Sequence, residues 1–132
     1  MPVNRNPIVT EYGRLYGRDC IFLDEQIEDK DLQTLSLVGD INGSLCEIPV
    51  VDKYIPYVLC FIGIVSWSSI TIDASDWDWE SCFDQLTEST LLKKYDSNNS
   101  ANLKHYVVQT YDDVFEIICT DFTLTLQQPF AA

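Results

Sequence analysis

The sequence predicts a mainly β fold: a two-layer antiparallel sandwich or rolled sheet of roughly seven to nine strands, with an α+β arrangement as the alternative. One short helix is expected near residues 76–87. Three observations carry this. The C-terminal run from His105 to Leu126 reads as three consecutive strands, and its last part alternates Phe122, Leu124 and Leu126 against Thr123, Thr125 and Gln127. Alternating or continuously apolar stretches recur upstream, in Leu35–Ile41, Tyr57–Ile64 and Ser66–Asp73. Helical spacing occurs convincingly once, where Trp79, Cys82, Phe83 and Leu86 fall at i, i+3, i+4 and i+7.

Taken in order, residues 1–6 read as a loose N-terminal arm, and Ile8–Tyr16 as a short strand or turn punctuated by Gly13 and Gly17. The acidic run 24–31, DEQIEDKD, reads as a solvated connection, since dense like charge faces water. Leu32, Leu35 and Leu37 introduce a strand that reaches Ile41. Asn42-Gly43 then signals a type I′ hairpin, with Leu45–Val51 returning. Tyr57–Ile64 is apolar at both parities, as a strand covered on both faces would be. Ser66–Asp73 alternates Ile70 and Ile72 against Ser69 and Thr71. The expected helix is capped by Ser75 or Asp76 and ends near Thr87, where its apolar stripe runs out into Ser89, Thr90 and Lys93. The polar loop Asp96–Asn102 leads to the C-terminal strands, which are expected to form a meander with Asp112 and Asp113 at its first turn. No linker or repeat interrupts the chain, so 1–132 is expected to be one domain.

Composition narrows the function classes. With 46% hydrophobic residues the chain has material for a packed core, despite 21 acidic against 8 basic residues and a net charge of −13. So negative a surface repels phosphate backbones and anionic membranes, which argues against direct nucleic-acid or membrane binding. The five cysteines are odd in number, widely spaced and mostly set in apolar runs. They read as small core residues in a reducing, cytoplasmic setting, and no signal-peptide-like apolar segment opens the sequence. With one histidine and no CxxC pair, no metal or cofactor is expected.

The acids around the expected helix are the most suggestive feature. A calcium loop starting at Asp76 would need glycine at Ser81 and glutamate at Thr87, so the EF-hand pattern fails. First-turn carboxylates gain about 0.3–1 kcal/mol each from the helix dipole, which covers Asp76, Asp78 and Glu80 but not Asp84 or Glu88. Trp77 falls outside the apolar stripe, and an aromatic ringed by carboxylates suits a cationic partner surface. Trp77, Asp78, Glu80, Asp84 and Glu88 are therefore the candidate partner-binding residues. No catalytic residue is assigned: His105 opens a strand, and nucleophile-elbow, P-loop and dinucleotide-binding spacings are missing. The leading expectation is a small acidic protein-binding module, of an inhibitor or immunity type, for a basic protein partner. A small-ligand-binding β-domain is the second expectation, and a hydrolase using carboxylates or His105 with a cysteine the third.

Overall fold

The computed structural model describes residues 4–17, 19–49, 54–71, 81–87, 89–95 and 102–126. Nine strands run through them: β1 (Asn4–Pro7), β2 (Ile21–Asp29), β3 (Thr34–Ile41), β4 (Ile55–Ile62), β5 (Ser66–Thr71), β6 (Phe83–Thr87), β7 (Lys104–Gln109), β8 (Asp113–Cys119) and β9 (Asp121–Leu126). One short helix, α1 (Thr90–Tyr95), joins them. The strands form two antiparallel sheets, ordered β1-β6-β7-β8-β5 and β2-β3-β4-β9, with no closed barrel. The expected mainly β, two-layer architecture with one short helix is present, as a sandwich rather than a rolled sheet.

The core lies between the sheets. Leu35, Leu37 and Ile41 of β3 and Ile55, Tyr57, Leu59 and Phe61 of β4 face Phe83, Tyr106, Val108, Phe115 and Ile117 of the other layer. Phe61 and Phe122 meet Phe83 and Tyr106 in an aromatic cluster across the two layers, the closest ring centroids being Tyr106–Phe122 at 5.0 Å and Phe83–Phe122 at 5.1 Å, both edge-on.

The middle strands of the five-stranded sheet, β6, β7 and β8, are also covered on their opposite face, whereas residues 68–71 of the edge strand β5 are exposed. On that covered face Leu86, Val107, Val114 and Ile118, which alternate with the core residues, are buried, and α1 packs against β7. This explains why β6 was misread from sequence. A strand covered on both faces loses its two-residue alternation, and Phe83, Asp84 and Leu86 are all buried. Phe83–Thr87 is thus strand where the spacing predicted helix; the helix lies further on, at Thr90–Tyr95, while residues 76–80 of the expected helix, like Ile72 and Asp73 of the expected strand, are outside the described residues.

Other boundaries also shift. Asn4–Pro7, expected as part of a loose arm, pairs with β6 as an edge strand. The acidic run 24–31 is not a connection. Most of it is β2, and the reversal to β3 comes at 30–33, where the Asp29 carboxylate accepts the N–H groups of Asp31 (3.0 Å) and Leu32 (3.1 Å). Asn42-Gly43 makes no hairpin. Asn42 has φ −79°, not the positive value a type I′ turn demands, and its side chain caps a 3-10 turn at Gly43–Leu45. β3 pairs instead with β2 and β4.

The three C-terminal strands are all present, with the β7–β8 turn held by Thr110 and Asp113, but they do not form one meander. β9 leaves β8 for the other sheet and pairs with β4. Only Thr120 separates β8 from β9, too little for the two-residue loop of the tightest common hairpins, so the chain crosses the sandwich instead. The inward set accordingly changes parity at this residue, from Phe115, Ile117 and Cys119 to Phe122, Leu124 and Leu126.

Candidate functional site

The outer face of the four-stranded sheet is the open one. On β4 the side chains alternate strictly, with Ile55, Tyr57, Leu59 and Phe61 inward and Pro56, Val58, Cys60 and Ile62 outward. The sequence expectation of a doubly covered strand here is therefore corrected: Val58 is 41% exposed and Ile62 38%. The register places Val38 of β3 beside Val58, with Thr125 of β9 on its other side. Ser36 and Thr123 flank Cys60 in the next row, and Ile27 of β2, 47% exposed, extends that row. Val38, Pro56, Val58 and Thr125 line an open apolar depression.

Carboxylates frame this apolar centre. Glu25 is paired with Val38, Asp29 with Thr34, Asp40 with Pro56 and Asp121 with Ile62, so all four lie on the outward face. Neither lysine nor arginine occurs in β2, β3, β4 or β9, whereas β1 and β7 of the other sheet carry Arg5 and Lys104. The charge asymmetry of the strands is thus concentrated on one layer.

Of the candidate residues drawn from the sequence, Trp77, Asp78, Glu80 and Glu88 lie outside the described residues. Asp84 is placed differently from its expectation: it is on β6, not on an exposed helical face, and only 2% accessible. Burial raises its carboxyl above the ordinary aspartate value, with the Ser81 hydroxyl and the Arg5 charge partly offsetting this.

His105 is buried on β7 between two polar partners. Its Nδ1 lies 2.8 Å from Ser89 Oγ and its Nε2 3.2 Å from Glu116 Oε1. The two contacts join a hydroxyl, an imidazole and a carboxyl group in one line from the start of α1 across β7 to β8. The order serine–histidine–carboxylate is that of a catalytic relay, but with the two ring nitrogens exchanged, since there the serine meets Nε2 and the carboxylate Nδ1. Moreover, Ser89 is 3% exposed, and its oxygen also accepts the Leu92 N–H at 2.9 Å. With the hydroxyl held by two partners and shut off from solvent, the chain ties the start of α1 to β7 and β8.

The thiols offer no activated nucleophile. Cys20 and Cys46 both point at the Asn42 carbonyl, at 3.9 and 3.7 Å. The Cys46 thiol lowers the Cys20 value, but Cys82 and burial outweigh it and push Cys20 up to about 12. Cys46 is raised by its contact with Cys20 and by burial, and burial pushes Cys119 up to about 12. Such thiols stay protonated and inert at neutral pH. All five cysteines are unpaired, and only Cys60 is not fully buried. Among the described residues no group of three or more histidine, cysteine, aspartate or glutamate side chains is arranged to hold a metal ion, and no helix is long and apolar enough to cross a membrane.

Sequence reasoning missed the β4 face because exposed and buried positions are equally apolar in IPYVLCFI. The available signal was the neighbours: β3 and β9 place Ser36, Thr123 and Thr125 on the outward side, which a doubly covered sheet would not favour. Compared with known proteins, the chain matches no family model, no curated protein and no solved structure.

Proposed function

We propose that this is a small acidic protein-binding module of the inhibitor or immunity type, and that the outer face of its four-stranded sheet docks a basic protein partner. The observation that carries this reading is the outward row of exposed Val58, half-buried Cys60 and exposed Ile62, extended by Val38 and Ile27 and framed by Glu25, Asp29, Asp40 and Asp121. An apolar centre inside a polar rim is the anatomy of a protein interface. Burying the centre supplies the hydrophobic gain, while the rim sets partner choice and speeds encounter. The same carboxylates disfavour nucleic acid, whose phosphates they repel. The unpaired thiols fit a reducing compartment such as the cytoplasm.

The test begins with partners captured from source-cell lysate on immobilised protein. Their association is then measured at low and high salt against the parent chain, Val58→Asp, and the double reversal Glu25→Lys with Asp40→Lys. Val58→Asp should abolish capture, because it sets an unpaired carboxylate in the centre of the interface. The double reversal should lower the on-rate and flatten its salt dependence. A basic partner bound equally well by all variants would place the docking surface elsewhere.

A further inference from the structure

We propose that the partner engages the open edge of β9 with an extended segment, adding a fifth strand to the four-stranded sheet; this rests on the reading above of that sheet as a protein-docking surface. The two edges of the sheet differ in how they meet another chain. β2 carries Asp24, Glu25, Glu28 and Asp29, and its register with β3 shifts between Leu23 and Glu25. Dense charge and a bulge are the usual means of blocking an edge. β9 has neither. Its register with β4 is continuous from Asp121 to Leu126, it bears no charge from Phe122 onward, and among the described residues no strand pairs with its outer side.

The inward layer at this edge is incompletely covered. On β4 Leu59 and Phe61 are 2% and 0% exposed, yet Phe122, Leu124 and Leu126 beside them on β9 are only partly buried. An added strand would lay apolar side chains over that strip at alternate positions, while its backbone paired with the outer side of β9 beyond Phe122, whose N–H is already held by the Asp121 carboxylate at 2.8 Å. Its other side chains would extend the outward face past Thr123 and Thr125. The carboxylates nearest this edge stand towards its two ends, Asp121 on β9 itself and Asp40 two strands in, and no cation lies on these strands, so the segment that fits has lysine or arginine at its ends and alternating apolar residues between them. A second copy of this chain fits less well, because it brings its own net charge of −13.

The probe is a synthetic peptide of alternating leucine and threonine between lysine pairs, titrated into the isotopically labelled protein. Two controls accompany it: the same peptide with glutamate in place of lysine, and the lysine peptide N-methylated at alternate residues, which removes backbone donors. The lysine peptide should shift the amide signals of Phe122–Leu126 and slow their exchange with solvent. It should bind about tenfold more tightly than the glutamate peptide, and N-methylation should abolish binding. If the N-methylated peptide binds equally well and perturbs Val58 and Ile62, strand addition is overturned while the docking face stands. Perturbation confined to β2 or the five-stranded sheet, or no binding by any peptide, also overturns strand addition. So does self-association of the peptide-free protein that protects β9, which would make a second copy the occupant. The capture experiment above tests the docking face independently of all these outcomes.

Discussion

At the scale of single residues, burial decides which side chains react and which titrate. Cys60 is the one cysteine that is not fully buried, whereas Cys20 and Cys119 are shielded and raised to about 12. In the folded protein, iodoacetamide should therefore modify Cys60 well before the other four, as read by mass spectrometry of the peptides; early modification of Cys20 or Cys46 would contradict their burial. Asp84 makes a pH prediction. Its folded value lies above the ordinary one, so the folded state holds the proton at a higher pH than the unfolded chain does. Ionised Asp84 therefore destabilises the fold at neutral pH, and that cost is relieved as pH falls through its folded value towards the ordinary aspartate range. In urea melts, the parent protein should gain stability relative to Asp84→Asn over that window. A difference between the two that does not change with pH would contradict the buried placement.

At the scale of elements, the sandwich predicts a gradient of packing costs. Leu59→Ala, in the covered middle of the sheet, should cost about 2–5 kcal/mol. Leu124→Ala on the edge should cost less, and Thr123→Ala on the outward face under about 1 kcal/mol. Denaturant melts that gave Leu124 and Thr123 equal costs would contradict the alternation on β9. Gly39 tests the β2 bulge: a Cβ there would run into the Phe22 carbonyl, which is backbone and cannot rotate away. Gly39→Ala should therefore cost about 1–3 kcal/mol by the same melts. These elements also show what was legible beforehand. β9 was readable because one of its faces is wet, and its Phe122, Leu124 and Leu126 alternate as expected. β6 was not, because tertiary cover on both faces erased its alternation and left a spacing that imitates a helix. Asn42-Gly43 carried a local hairpin preference that long-range pairing of β3 with β4 overrode.

At the scale of the whole molecule, the two sheets divide the work. The middle strands β6, β7 and β8 of the five-stranded sheet are packed on both faces, while the four-stranded sheet keeps an apolar outer face within an acidic frame. The candidate site was legible in the sequence only as a charge: a net −13 pointed to a basic partner, but the exposed face depends on which strands become neighbours, and sequence periodicity does not encode that. Hence Asp84, which an assumed helix turned outward, is interior, and Glu25, Asp40 and Asp121, drawn from separate strands, form the frame. The most direct test of this division is amide hydrogen exchange of the protein with and without its captured partner. Binding should slow exchange in β3, β4 and β9 and leave β6, β7 and β8 unchanged. Protection falling instead on the five-stranded sheet, with β4 and β9 unaffected, would contradict the account.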